Sequence, residues 1–159
     1  MQTLLVQISA AINSRPLTPL SDDPNDLETL TPAHFLIGTN MKSLPEPDLQ
    51  MIKTNRLDHY RQTQQIFQLF WQRWRKEYLC ELQGSTRTRQ HNIIVPGSIV
   101  ILRDENVPPM HWPLARITEV HPGNDRIVRD VTLRTSTDIY KRPVSKICLL
   151  PSSINNNNV

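Results

Sequence analysis

The sequence predicts an α+β protein, with helices at the front, one long amphipathic helix in the middle and a small, basic all-β barrel at the end. Three observations point there. Residues 96–151 fall into short runs rich in Val, Ile, Leu and Thr, separated by turn residues such as Pro122-Gly123-Asn124-Asp125. That length suits a small barrel and is too short for two full sheets. Residues 56–83 place apolar and aromatic side chains at three- and four-residue steps, the period of a helix face. Thirteen prolines against four glycines break the remainder into short elements with stiff joints.

The first segment, residues 1–38, holds two helices. Residues 2–13 put Leu4, Leu5, Ile8, Ala11 and Ile12 on one helical face, and Pro16 and Pro19 stop the helix. Nothing upstream covers this stripe, so it reads as a fragment of a larger fold or a docking surface. Ser21 to Asp26 is turn chemistry. Its acidic cluster lacks the glycine and bidentate glutamate of a calcium loop. Thr31-Pro32 opens the second helix, with Thr31 as N-cap and Pro32 at the first helical position. Ala33, Phe35, Leu36 and Ile37 supply its apolar side, and Gly38 ends it as a left-handed cap.

A proline-interrupted linker follows at 39–55. The long helix at 56–83 carries Leu57, Tyr60, Gln64, Phe67, Trp71, Trp74, Tyr78 and Leu82 along one stripe, read as core packing. The opposite face, with Arg61, Gln65, Gln68, Gln72, Arg75 and Lys76, is expected in solvent, able to lie along phosphates. Residues 84–95 read as a mobile connection exposing Arg87 and Arg89. Strands are expected at 96–103, 112–120, 127–135 and 139–150, with Trp112 in the barrel core, and the asparagine-rich tail at 152–159 is expected to be disordered.

Charge is unevenly spread over a chain of net charge +3. Residues 1–55 hold three basic and six acidic residues, 56–95 seven and three, and 96–159 eight and six. The basic excess therefore lies in the helix and barrel, as suits an anionic partner and equally an ordinary solvated surface. Two cysteines, Cys80 and Cys148, make neither a disulfide framework nor a zinc site and read as small buried hydrophobes. No signal peptide pattern and no membrane-length apolar run is seen, so an intracellular setting is expected.

No phosphate-binding glycine loop, dinucleotide fingerprint or zinc-protease motif occurs, and the carboxylates sit in loops or on exposed faces. Paired-metal catalysis needs carboxylates that converge. Catalysis by the chain alone is not expected, nor is a cofactor.

Asn13-Ser14-Arg15-Pro16-Leu17-Thr18-Pro19-Leu20, followed by Leu30-Thr31-Pro32-Ala33-His34-Phe35-Leu36-Ile37-Gly38, resembles the closing part of integrases of the Bel/Pao retrotransposon type. The helix Phe70-Trp71-Gln72-Arg73-Trp74-Arg75-Lys76-Glu77-Tyr78-Leu79, the run from Trp112 to Gly123 and the run from Lys141 to Pro151 are similar to the same family in the same order. The resemblance covers about 2 to 151. It implies the last helices of a ribonuclease-H-like core at 1–38, a linker helix at 56–83 and an SH3-like DNA-binding barrel at 96–151. The family's catalytic Asp, Asp and Glu lie upstream of the first helix, and magnesium is implied only for the full-length integrase. Related sequences carry Glu at the position of Ser9, a minor departure.

DNA binding without sequence specificity is therefore expected, through Arg116, Arg126, Arg134, Lys141, Arg142 and Lys146 of the barrel, with Arg87 and Arg89. Arg116 lies between Ala115 and Ile117, so alternation turns it outward if those two face the core. Arg103 and Arg129 receive no assigned side. Other partners implied are the upstream integrase core or a second copy of the chain, with a nuclear location if the element functions. The competing readings are a protein-interaction module, for which Trp112 and Tyr140 make a thin aromatic cage, and an inert relic.

Overall fold

The computed structural model describes residues 2–21, 23, 25–87, 94–105 and 107–151. They divide into two compact units, one drawn from the described residues of 2–15, 31–78 and 107–111, the other from those of 16–30, 79–105 and 112–151.

In the first unit, α1 (Gln2–Asn13) ends where the Ser14 hydroxyl donates back to the Ala11 carbonyl at 2.7 Å. α2 (Pro32–Ile37) starts on the Thr31-Pro32 pair and stops at Gly38, whose φ of 75° only glycine adopts without strain. The Thr31 amide donates to Nδ1 of His34 at 3.0 Å, closing the first turn. The apolar side expected of this helix is not covered. Ala33 is fully buried, but Phe35, Leu36 and Ile37 are 74%, 64% and 55% exposed.

α3 (His59–Arg87) begins later than the stripe implied. Thr54–Arg56 closes into a 3-10 turn, and the Asp58 carboxylate then caps the helix by accepting the Arg61 amide at 2.8 Å. Leu57, Phe67 and Trp71 are buried as the stripe requires. Trp71 donates from its indole nitrogen to the Val107 carbonyl at 3.1 Å, and Trp74 stacks between Phe70 and Tyr78.

The opposite face departs from expectation, because Gln65, Gln68 and Arg75 are buried. Residues 47–52 form no helix or strand, so their backbone groups need partners from elsewhere. Gln65 donates to the carbonyls of Leu49 (2.8 Å) and Ile52 (2.6 Å) and accepts from the Thr54 hydroxyl (2.9 Å). Gln68 accepts the Leu49 amide and donates to the Pro47 carbonyl, both at 2.9 Å. These glutamines strap the proline-rich segment to the helix. Gln65→Ala should lower stability by about 2 kcal/mol, the cost of orphaning buried polar groups, read as a drop in the urea midpoint at unchanged slope. A loss under about 0.5 kcal/mol, typical of surface changes, would show that the strap contributes little.

In the second unit, β1 (Thr18–Pro19) and β2 (Thr29–Leu30) pair antiparallel and close the acidic loop into a hairpin. The main sheet comprises β3 (Ile99–Leu102), β4 (Leu114–Pro122), β5 (Val128–Arg134), β6 (Ile139–Pro143) and β7 (Ile147–Leu149), in the antiparallel order β6-β5-β4-β3-β7. Val100, Leu102, Ala115, Ile117, Val131, Leu133, Ile147 and Leu149 form its core. Trp112 is buried as expected, and so is Cys148, but Cys80 is exposed.

The α+β class and the strand-rich end are thus as the sequence predicts, and the last strand, β7, pairs with β3. The barrel does not close. Residues 139–150 form two strands, not one, because Pro143 lacks an amide to extend the ladder and Val144–Lys146 coils into a 3-10 turn. β7 is three residues long, and β6 and β7 remain edges of an open sheet. Every residue of β3 and β7 is buried, so both faces of these strands are covered, and Gln83 of α3 donates to the Ile147 carbonyl at 3.1 Å while Arg103 donates to Gln83 at 2.7 Å.

Candidate nucleic-acid interface

Strand register assigns each cation of the sheet to a face and an end. Arg116 pairs with Arg134, Thr132 with Lys141 and Val131 with Arg142. Directly opposed residues share a face. Arg116, Arg134 and Lys141 therefore stand on the face away from the core, while Arg142 and Tyr140 edge the core side beside Val131 and Leu133.

Arg116 corrects the expectation of a free outward cation. Alternation does turn it away from Ala115 and Ile117, but at β3 and β4 that face is not open to water. The residue is 8% exposed, and its guanidinium donates to the carbonyls of Gly97 (2.7 Å), Asp23 (2.8 Å) and Asp26 (2.8 Å). It clamps the acidic hairpin loop to the sheet and has no reach left for a phosphate.

Four basic residues collect at one end of the sheet. The β4–β5 hairpin tip brings Arg126 and Arg129, and because Pro143 pairs with Asp130, the end of β6 and the 3-10 turn lie at the same end with Arg142 and Lys146, while Lys141 stands midway along β6. Arg126 is exposed and left-handed, at φ 62°, a conformation rare for a bulky residue. Arg129 forks onto Asp125 (2.6 and 3.2 Å), Lys141 meets Asp130 at 3.6 Å, and Arg142 meets Asp104 at 3.7 Å while lying 5.3 Å from the Tyr140 ring centre. These are solvent-exposed pairs, worth at most about 1 kcal/mol each, so phosphate can compete for the cations. Among the described residues, the side chains of Arg126, Arg134 and Lys146 form no ion pair.

One carboxyl registers this field, and one phenol is set against it by burial. The Arg129 guanidinium, and after it the Ile127 amide, hold the Asp125 carboxyl below its ordinary pKa. Burial, and next the Asp104 charge, raise that of Tyr140.

Arg134 stands apart, at the opposite end of β5, in a groove with Asn25, Leu27 and Ile139. The side chain of Arg87 and all of Arg89 lie outside the described residues. Sequence reasoning left Arg129 unassigned, although its four-residue spacing from Asp125 was a visible signal. No described helix is long and apolar enough to cross a membrane.

A family model described as a family of unknown function, DUF5641, matches residues 58–150, more than half of the chain. No curated protein matches the chain. No solved structure matches it either.

Proposed function

This chain belongs to the DUF5641 family, a family of unknown function, and we propose that it is the non-catalytic C-terminal portion of a retroelement integrase, of the Bel/Pao type it resembles, whose sheet unit binds DNA without sequence specificity. The observation that carries the proposal is the gathering of Arg126, Arg129, Arg142 and Lys146 at one end of the sheet, with Lys141 midway along β6 and with Arg126 and Lys146 exposed and unpaired among the described residues. Exposed Arg and Lys side chains of this kind suit phosphate contacts, which position a protein on a duplex without reading its sequence. Arg116 and Arg134 do not belong to this set. Work on DNA in a nucleus follows from the same proposal, and chemistry is left to a catalytic core on other residues.

Binding of this kind releases counterions. With about four phosphate contacts, affinity for a labelled 20-bp duplex should fall about a hundredfold between roughly 50 and 200 mM salt, at about −0.9 per contact in the log–log slope. Arg126→Asn, which suits the left-handed backbone there, combined with Lys146→Glu, should flatten that slope and weaken binding at low salt at unchanged melting temperature. A dissociation constant that ignores salt, or no complex at about 50 mM, sinks the proposal.

A further inference from the structure

We propose that the groove beside Arg134 is a peptide site, taking one acidic residue next to an aliphatic one. It does not rest on the DNA proposal, because it uses the other end of the sheet.

The groove encloses about 600 Å³, within the range of ligand clefts. Its floor is the cross-strand pair Arg134 and Ile139, on the same face as Arg116. Both walls are held in place. On one side, Arg116 grips the carbonyls of Asp23 and Asp26, and the Asp23 and Asp26 carboxylates accept the amides of Asn25 and Glu28, both at 2.8 Å, which sets Asn25 and Leu27 against the groove. On the other, the Thr135 hydroxyl donates to the Asp138 carbonyl at 2.9 Å and accepts the Asp138 amide at 3.0 Å, locking the β5–β6 turn. A preformed cleft of this kind loses little freedom on binding.

The floor states the ligand. Arg134 is exposed, and among the described residues its guanidinium makes no hydrogen bond or ion pair, so it can fork onto a carboxylate. Leu27 and the 65% exposed Ile139 offer an apolar flank. Of the described residues that line the groove, Arg134 is the cation, Asp138 the carboxylate and the rest are uncharged. A phosphate backbone would bring a charge at every step to a lining with one cation, whereas a peptide brings one carboxylate and an uncharged chain.

The test titrates the full-length, 15N-labelled protein with the capped hexapeptide Gly-Ser-Glu-Leu-Ser-Gly, with its Gln analogue, and with a 20-bp duplex. The acidic peptide should shift the amides of 25–28 and 134–139, with the Gln analogue at least about tenfold weaker, as loss of a charge-assisted fork implies. Arg134→Gln should abolish the shifts. Ile139→Ser should weaken them while keeping the Glu-over-Gln preference, and Lys42→Gln, far from the groove in sequence and exposed, should leave them intact. Equal binding of the two peptides, no shift in the groove, or groove shifts that the duplex alone produces and Arg134→Gln removes, would each overturn the assignment.

Discussion

Arg116→Ala should lower the stability of the protein by about 3 kcal/mol, one of the two largest effects expected of a single substitution here. The guanidinium supplies charge-assisted hydrogen bonds to three carbonyls, on Gly97, Asp23 and Asp26. Each such bond contributes roughly 1.5–3 kcal/mol, and the three are not additive because they share one side chain. Gly97 turns the chain into β3 at a positive φ of 94°, and Asp23 and Asp26 belong to a loop whose short ladder, β1–β2, is only two residues a side. Loss of the clamp therefore orphans carbonyls and frees the loop at once. Arg116→Lys should recover only part, since an ammonium cannot hold the planar fork that reaches three acceptors. Urea denaturation followed by circular dichroism reads both. A midpoint for Arg116→Ala indistinguishable from the parent would mean that water replaces the guanidinium at no cost, and the burial argument would fall. The same variant should also blunt peptide binding beside Arg134, because one wall of that groove is what Arg116 holds.

Trp71→Ala should cost about 3–5 kcal/mol, the usual range for deleting a large buried aromatic. Trp71 has no exposed surface, lies 5.9 Å from Trp74 between ring centres and donates to the Val107 carbonyl. The cavity left behind cannot collapse easily, because the neighbours are themselves large rings and a helix. Trp71→Phe keeps most of the volume and loses the indole donor, so about 1 kcal/mol is expected, the net worth of one hydrogen bond. Equal losses for Ala and Phe would assign the whole effect to the hydrogen bond and none to packing. The contrast between the two variants matters more than either value, since mutational costs at one site vary with how far the surroundings relax.

Much of the fold was legible in one dimension. Periodicity found the aromatic face of α3 and the strand-rich end from 96 onward, because each depends on spacings that the backbone itself imposes, and capping chemistry found the Thr31-Pro32 start and Gly38 stop of α2. Alternation even named the correct face for Arg116. What spacing could not say is which face meets water. Arg116 and Arg134 are cross-strand neighbours on one face, yet one is buried under a loop ninety residues away in sequence and the other is exposed. Spacing turns Gln65 and Gln68 toward solvent for the same reason, since a polar residue facing outward and a polar residue strapping a distant proline-rich segment look alike along the chain. The apolar run Phe35-Leu36-Ile37 shows the converse, an expected core left in the open.

By itself, then, the sequence determined element type, order and facing, through local sterics and hydrophobic period. Tertiary structure alone decided which cations stay available, how the sheet edges remain unjoined after Pro143, and that a groove forms beside Arg134. Those outcomes are set by long-range contacts, where a remote segment supplies or removes the water that a side chain would otherwise meet.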